Sequence, residues 1–150
     1  MNALFADYLD RLQALHDSIA ATIEGLSPEA LNWKPGPDMN SMGVLVTHTA
    51  GSERFWIGDM VQQESSGRVR ANEFSADQFT AAGLQQLLQD TLAYSSQVLA
   101  NLTLADLEQE VFSTLHGRSI RAAWSLMHAL EHTALHLGHI EITRQLWESQ

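Results

Sequence analysis

The chain has 150 residues, 45% hydrophobic and 17% charged, enough for one globular domain with a real core, residues 1–150. Eighteen Asp and Glu against eight Lys and Arg give a formal charge of −10, which argues against nucleic-acid binding and against an anionic membrane surface. There is no cysteine, so no disulfide framework, and any metal must be held by His, Asp or Glu.

Arg, Glu or His interrupts every apolar run before it reaches the length of a membrane span. The opening MNALFADYLDRLQ is amphipathic and carries acids, unlike a signal peptide. The expected location is the cytoplasm. Residues 2–25 repeat apolar side chains at helical spacing (Leu4, Tyr8, Leu12, Leu15, Ile19, Ile23), and Gly25 suits a helix C-terminus. Ser27-Pro28-Glu29 starts a short turn that Lys34-Pro35-Gly36-Pro37-Asp38 must end.

A second long helix is predicted from Asn40 or Ser41 to about Glu64, with Val44, Leu45, His48, Ser52 and Phe55 on the buried face and Glu53 and Arg54 off it. Arg68–Phe74 reads as a loop. Ser75-x-x-Gln78 resembles a capping box opening a third helix through Leu84, Leu88 and Leu99. Thr103 can cap a short turn, Val111–Leu115 reads as briefly extended, and Ser119 is placed to cap the last helix, Ile120–Trp147. Four long amphipathic helices in a short chain predict an all-α, antiparallel four-helix bundle.

The last helix holds four of the seven histidines: His128, His132, His136 and His139. On an α-helix they project into an arc of only about 80°. His132 and His136 have the i, i+4 spacing that lets two imidazoles share one ion, but His128/His132 has it too, and His136/His139 is an i, i+3 pair. Spacing alone does not choose among them, and a histidine-rich surface stripe or subunit contact is the simpler alternative. His48 lies among apolar residues of the second helix, where facing helices of a bundle build metal sites. Buried imidazoles need partners, and a divalent ion satisfies several at once.

DMNSMGVLVTHTAGSERFWIGD at 38–59 and LMHALEHTALHLGHIEITRQL near the C-terminus, together with the WKP loop before the second helix, resemble the DinB-like superfamily. These bundles, of the DinB/YfiT-like type, include thiol-dependent S-transferases and maleylpyruvate isomerase-type domains. His48, followed by Glu53 and Trp56, matches the family's helix-2 pattern; His132, His136, Gly138 and His139 match its last-helix pattern. The resemblance implies a metal triad of His48, His132 and His136, holding zinc or nickel. His128 and His139 then stand behind the ligands or shuttle protons.

The implied function is that of a metal-dependent enzyme acting on a small molecule, a thiol-dependent S-transferase or a hydrolase. Without cysteine, any thiol must arrive as an external low-molecular-weight cofactor. The resemblance also implies a homodimer, and the sequence itself places Trp147 and other apolar residues outside one bundle core. The alternative is a non-catalytic metal- or ligand-binding stress-response bundle. Among lesser candidates, Glu131 suits a surface pair, Arg121 falls on the histidine side of its helix, and His16 and His116 match no motif.

Overall fold

Asn2 caps helix α1 (Ala3–Ile23) by accepting from the Leu4 N–H at 3.0 Å, and Gly25, at φ +69°, turns the chain out of it. The computed structural model describes all 150 residues. Pro28 opens the short helix α2 (Pro28–Asn32), and the Ser41 hydroxyl caps α3 (Met42–Glu53) by accepting from the Val44 N–H at 3.3 Å. Helix α3 continues without a break as a π-helical segment, Arg54–Gln62, and stops at Gln63 with φ +57°. Then come α4 (Arg70–Ser75), α5 (Ala81–Asn101), a 3₁₀ turn (Leu104–Glu108), strands β1 (Glu110–Ser113) and β2 (Arg118–Arg121), and α6 (Ala122–Glu148). Helices α1, α3 with its π-helical continuation, α5 and α6 form the four-helix bundle, and the hairpin pairs antiparallel with Val111 opposite Ile120.

Two apolar clusters fill the bundle. One contains Phe5, Leu12, Trp56, Ile57, Leu99 and Leu126; the other contains Ile19, Ile23, Met42, Val46, Leu88 and Ile140. Trp147 packs on the second cluster, with its ring 5.7 Å from that of Trp33, so it is part of the bundle rather than outside it.

Helix α3 is buried nearly all round, which is why assigning it one inward face fails. Glu53, expected off the buried face, is 1% exposed and accepts from Ser95 Oγ at 2.7 Å. Its other oxygen lies 2.6 Å from His16 Nε2, while His16 Nδ1 donates to the Leu88 carbonyl at 3.1 Å. The buried carboxyl and imidazole thereby satisfy each other between the two apolar clusters. Tyr8 donates to the Leu126 carbonyl at 2.7 Å; burial first, and the nearby Glu53 charge second, hold its phenol well above the ordinary range.

Three local expectations change. Arg68–Phe74, expected to be a loop, contributes most of α4, from which Glu73 bonds His48 and Arg68 and Phe74 packs on the His48 ring. Thr80, not Ser75, caps α5, accepting from the Gly83 N–H at 3.1 Å. Ser119 lies in β2, and α6 begins at Ala122 with no side-chain cap because hairpin pairing holds the chain there; the Ala122 N–H donates to the Gln109 carbonyl at 2.9 Å.

Candidate metal centre

His48 on α3 and His132 and His136 on α6 come together at the α3–α6 contact. Each offers one ligand nitrogen, and the three nitrogens lie within 4.8 Å of one another. The His132 and His136 Nε2 atoms are 3.2 Å apart, and the His48 ring centroid is 5.0 Å from each of the other two. Two nitrogens on one tetrahedral zinc stand about 3.3 Å apart, given Zn–N of about 2.0–2.1 Å, so the α6 pair is already spaced as ligands. The donor set fits a divalent ion that accepts imidazole.

Electrostatics leaves the lone pairs free. Burial, then the neighbouring His136 and His48 charges, push the His132 pKa down to about 3. Burial, then His48 and His139, push His136 down to about 4. Both rings are neutral at pH 7, the form that binds metal.

His48 is oriented from α4. Its Nδ1 donates to Glu73 Oε2 at 2.8 Å, so its Nε2 is the nitrogen left for an ion. Glu73 is gripped in turn by Arg68, with Nε 2.5 Å from Oε1 and Nη2 2.9 Å from Oε2. Burial alone would raise the Glu73 pKa; the Arg68 and His48 hydrogen bonds outweigh it and hold the carboxyl below its usual value. Gly51 makes room for this arm: a Cβ there would overlap Glu73 Oε1 and come within 3.4 Å of Arg68 Nε. A carboxylate behind a ligand imidazole fixes its tautomer and raises its basicity.

His128 and His139 fall outside the converging group. The His128 ring stacks on Trp124 at 4.9 Å and 8°, with Trp56 edge-on at 4.7 Å. Burial holds its pKa below the usual value although Glu131, exposed, lies 3.9 Å away. His139 is exposed, its Nδ1 3.4 Å from that of His136. His116, from the hairpin, packs 5.3 Å from Trp124 and 5.4 Å from Trp56, extending this aromatic wall. Arg121, expected on the histidine side, is exposed and reaches Glu108 at 3.6 Å instead.

Arg68 also lines a cleft of about 350 Å³ with Phe55, Asp59, Arg70 and Leu115. A larger groove, about 660 Å³, runs between α1 and α6 but contains no histidine. Glu73 and Arg68 were not legible as site residues, because they lie 20 or more positions from His48 in a polar stretch with no ligand spacing. No helix is long and apolar enough to cross a membrane.

The fold is shared with solved structures of low sequence identity. YfiT from Bacillus subtilis, described as a probable metal-dependent hydrolase with an unusual four-helix bundle topology, superposes with a TM-score of 0.78 at 14% identity, covering 97% of this chain and 89% of that one. The DinB-like protein YjoA from Bacillus subtilis gives 0.69 at 20% identity, covering 96% and 90%. The mycothiol-dependent maleylpyruvate isomerase gives 0.65 at 12% identity, covering 89% of this chain and 59% of that one. At these identities the likeness establishes the fold alone. No curated protein matches the chain in sequence. Residues 7–149 match the mycothiol-S-transferase family, and the chain belongs to that family, within the DinB-like superfamily.

Proposed function

We propose that this chain is a metal-dependent enzyme of its family, a thiol-dependent S-transferase or hydrolase acting on a small molecule. The observation that carries the reading is the convergence of three imidazole nitrogens, one of them oriented by the Glu73–Arg68 arm. His48, His132 and His136 would hold the ion, zinc or nickel, both of which imidazole suits. A bound divalent ion supplies Lewis acidity and lowers the pKa of a coordinated water or thiol.

Around it each residue has a separate task. Glu73 keeps the proton of His48 on Nδ1, away from the ligand face. Three protein ligands leave coordination open to a reactant, the pattern of catalytic rather than structural sites. His139, exposed beside His136, is placed to exchange a proton with solvent. His128, held neutral against Trp124, can accept one from the other end of the stripe. The thiol comes from outside, because the chain has no cysteine. The same reading includes a homodimer paired through helix faces; Met127, Leu135, Ile142 and Leu146 are exposed on α6, and light scattering at twice the chain mass is the expected result.

The test is conjugation of mycothiol to an electrophilic fluorogenic acceptor by the zinc- or nickel-loaded protein. A metal-dependent rate above the spontaneous one, lost in His132→Ala, is expected. A fully loaded protein with no rate enhancement and no hydrolysis of ester or amide substrates would favour a non-catalytic binding bundle.

A further inference from the structure

Between the π-helical segment and α4 the chain runs through residues 63–69 without regular structure. The residues at 62–70 are exposed with two exceptions, Ser66 and Arg68, which are half-buried. Arg68 holds Glu73, which in turn holds His48. Ser66 leads back the other way. Its N–H donates to Asp59 Oδ1 and its hydroxyl to Asp59 Oδ2, both at 3.0 Å, while its Oγ accepts from the Arg68 N–H at 3.3 Å. A continuous series of hydrogen bonds therefore joins Asp59, Ser66, Arg68, Glu73 and the Nδ1 of His48.

Ordering irregular backbone costs conformational entropy, and a carboxylate that accepts from both a backbone N–H and a hydroxyl offsets it with charge-assisted bonds. A second clasp holds the start of the same loop. The Arg54 guanidinium, 3.4 Å from Asp59 Oδ1, lies 3.7 Å from the Tyr94 ring centroid, and Tyr94 donates to Glu64 Oε2 at 2.8 Å. The two clasps differ in where they lead. Tyr94 ends at Glu64, whereas Asp59 connects through Ser66 to a ligand histidine. Asp59 itself sits in the π-helical segment, a conformation that is rare and frequent at functional sites.

We propose that Asp59 is a positioning residue of the metal centre. By fixing Ser66 it sets where Arg68 leaves the loop, and so how Glu73 presents its carboxylate to His48. The proposal rests on the metal-dependent reading above and extends the support of one ligand from α4 to the far end of the α3 continuation. Asp59 acts on the orientation of the His48 imidazole and on nothing else at the centre. Groups that hold a ligand histidine directly change metal affinity about 10–100-fold, so a residue further out along the series is expected to change it about three- to tenfold.

Zinc competition titration tests it. Asp59→Ala should weaken binding about three- to tenfold, and Ser66→Ala, which removes only the hydroxyl joining Asp59 to Arg68, about two- to fivefold. Tyr94→Phe opens the other clasp and should stay within about twofold of the native chain. A clasp that merely holds the loop, or a bare Coulomb effect of the Asp59 charge, would act whether or not Arg68 is present. The deciding readout is therefore a double-variant cycle: in Arg68→Gln, adding Asp59→Ala should weaken binding by less than about twofold. Unchanged affinity in Asp59→Ala, an equal loss in Tyr94→Phe, or full additivity with Arg68→Gln overturns the assignment. If Asp59→Ala loses its helices, Ser66→Ala takes its place in the same cycle. If the native chain binds no zinc, the metal reading fails, and nitrogen NMR of the His48 ring in the metal-free protein decides Asp59 alone. A change from the single Nδ1–H form to a mixture of tautomers in Asp59→Ala supports its role; an unchanged ring overturns it.

Discussion

Glu73 offers a sharp perturbation of the centre because it acts on the ion only through His48. Its Oε2 accepts the His48 Nδ1 proton at 2.8 Å, and both its oxygens are held by Arg68. Glu73→Gln keeps the shape but removes the charge and one acceptor. Glu73→Ala also leaves the Arg68 guanidinium, whose Nη2 is 3.4 Å from His48 Nδ1, facing the imidazole with no carboxylate between. Groups that orient a ligand histidine are worth about 10–100-fold in metal affinity, or roughly 1.4–2.7 kcal/mol. We expect Gln near the lower figure and Ala near the upper. Competition titration of zinc against a chromophoric chelator at pH 7.5 reads the change, with circular dichroism reporting the helices. Unchanged affinity in both variants, with helices intact, would refute the orientation of His48 by Glu73.

Gly51→Ala should weaken zinc binding about tenfold, because its methyl group displaces the Glu73 carboxylate. Thermal stability should fall by about 1–3 kcal/mol, because displacing the buried carboxylate from Arg68 and His48 outweighs the roughly 1 kcal/mol that Ala gains as a helix former; unchanged zinc affinity with the helices intact would contradict this. Glu53→Ala leaves the buried His16 and Ser95 without their partner and should cost about 3–5 kcal/mol in urea unfolding. A cost below about 1 kcal/mol would contradict a buried, mutually satisfied pair. The metal-free chain should lose stability as pH falls from 7.5 to 5.0. Below about pH 6.5 the unfolded chain takes up protons that His132 and His136 refuse when folded, because their folded pKa values are about 3 and 4. Both rings are partly solvated, so the loss over that window should be about 1–2 kcal/mol. Urea midpoints measure it, and the slope should flatten in a His132→Leu/His136→Leu double variant; an equal slope there would assign the protons elsewhere.

The bundle was legible because its evidence is periodic: the apolar stripe of α1 and the caps at Ser27 and Ser41 act within a few residues. The candidate site was legible only in part. Helical spacing put four histidines on one stripe but left three pairs equal, and the family pattern singled out His132 and His136. The structure draws those two together with His48 and sets His128 against Trp124. Glu73 could not be anticipated, because nothing local distinguishes an acid that folds back 25 residues onto a histidine. Glu53 was misplaced for a related reason. A helix buried on every side needs its polar residues paired across the bundle, and that pairing depends on Ser95 and His16 in other helices.

The central claim is that His48, His132 and His136 hold one divalent ion. Elemental analysis of zinc-loaded, gel-filtered protein, made with single alanine substitutions at His48, His128, His132, His136 and His139, tests it most directly. One ion per chain is predicted in the native protein, His128→Ala and His139→Ala, and almost none in His48→Ala, His132→Ala or His136→Ala, with helical content preserved throughout. Stoichiometric zinc in His132→Ala, or its loss in His128→Ala, would contradict the assignment and move the ion to another register of the helix.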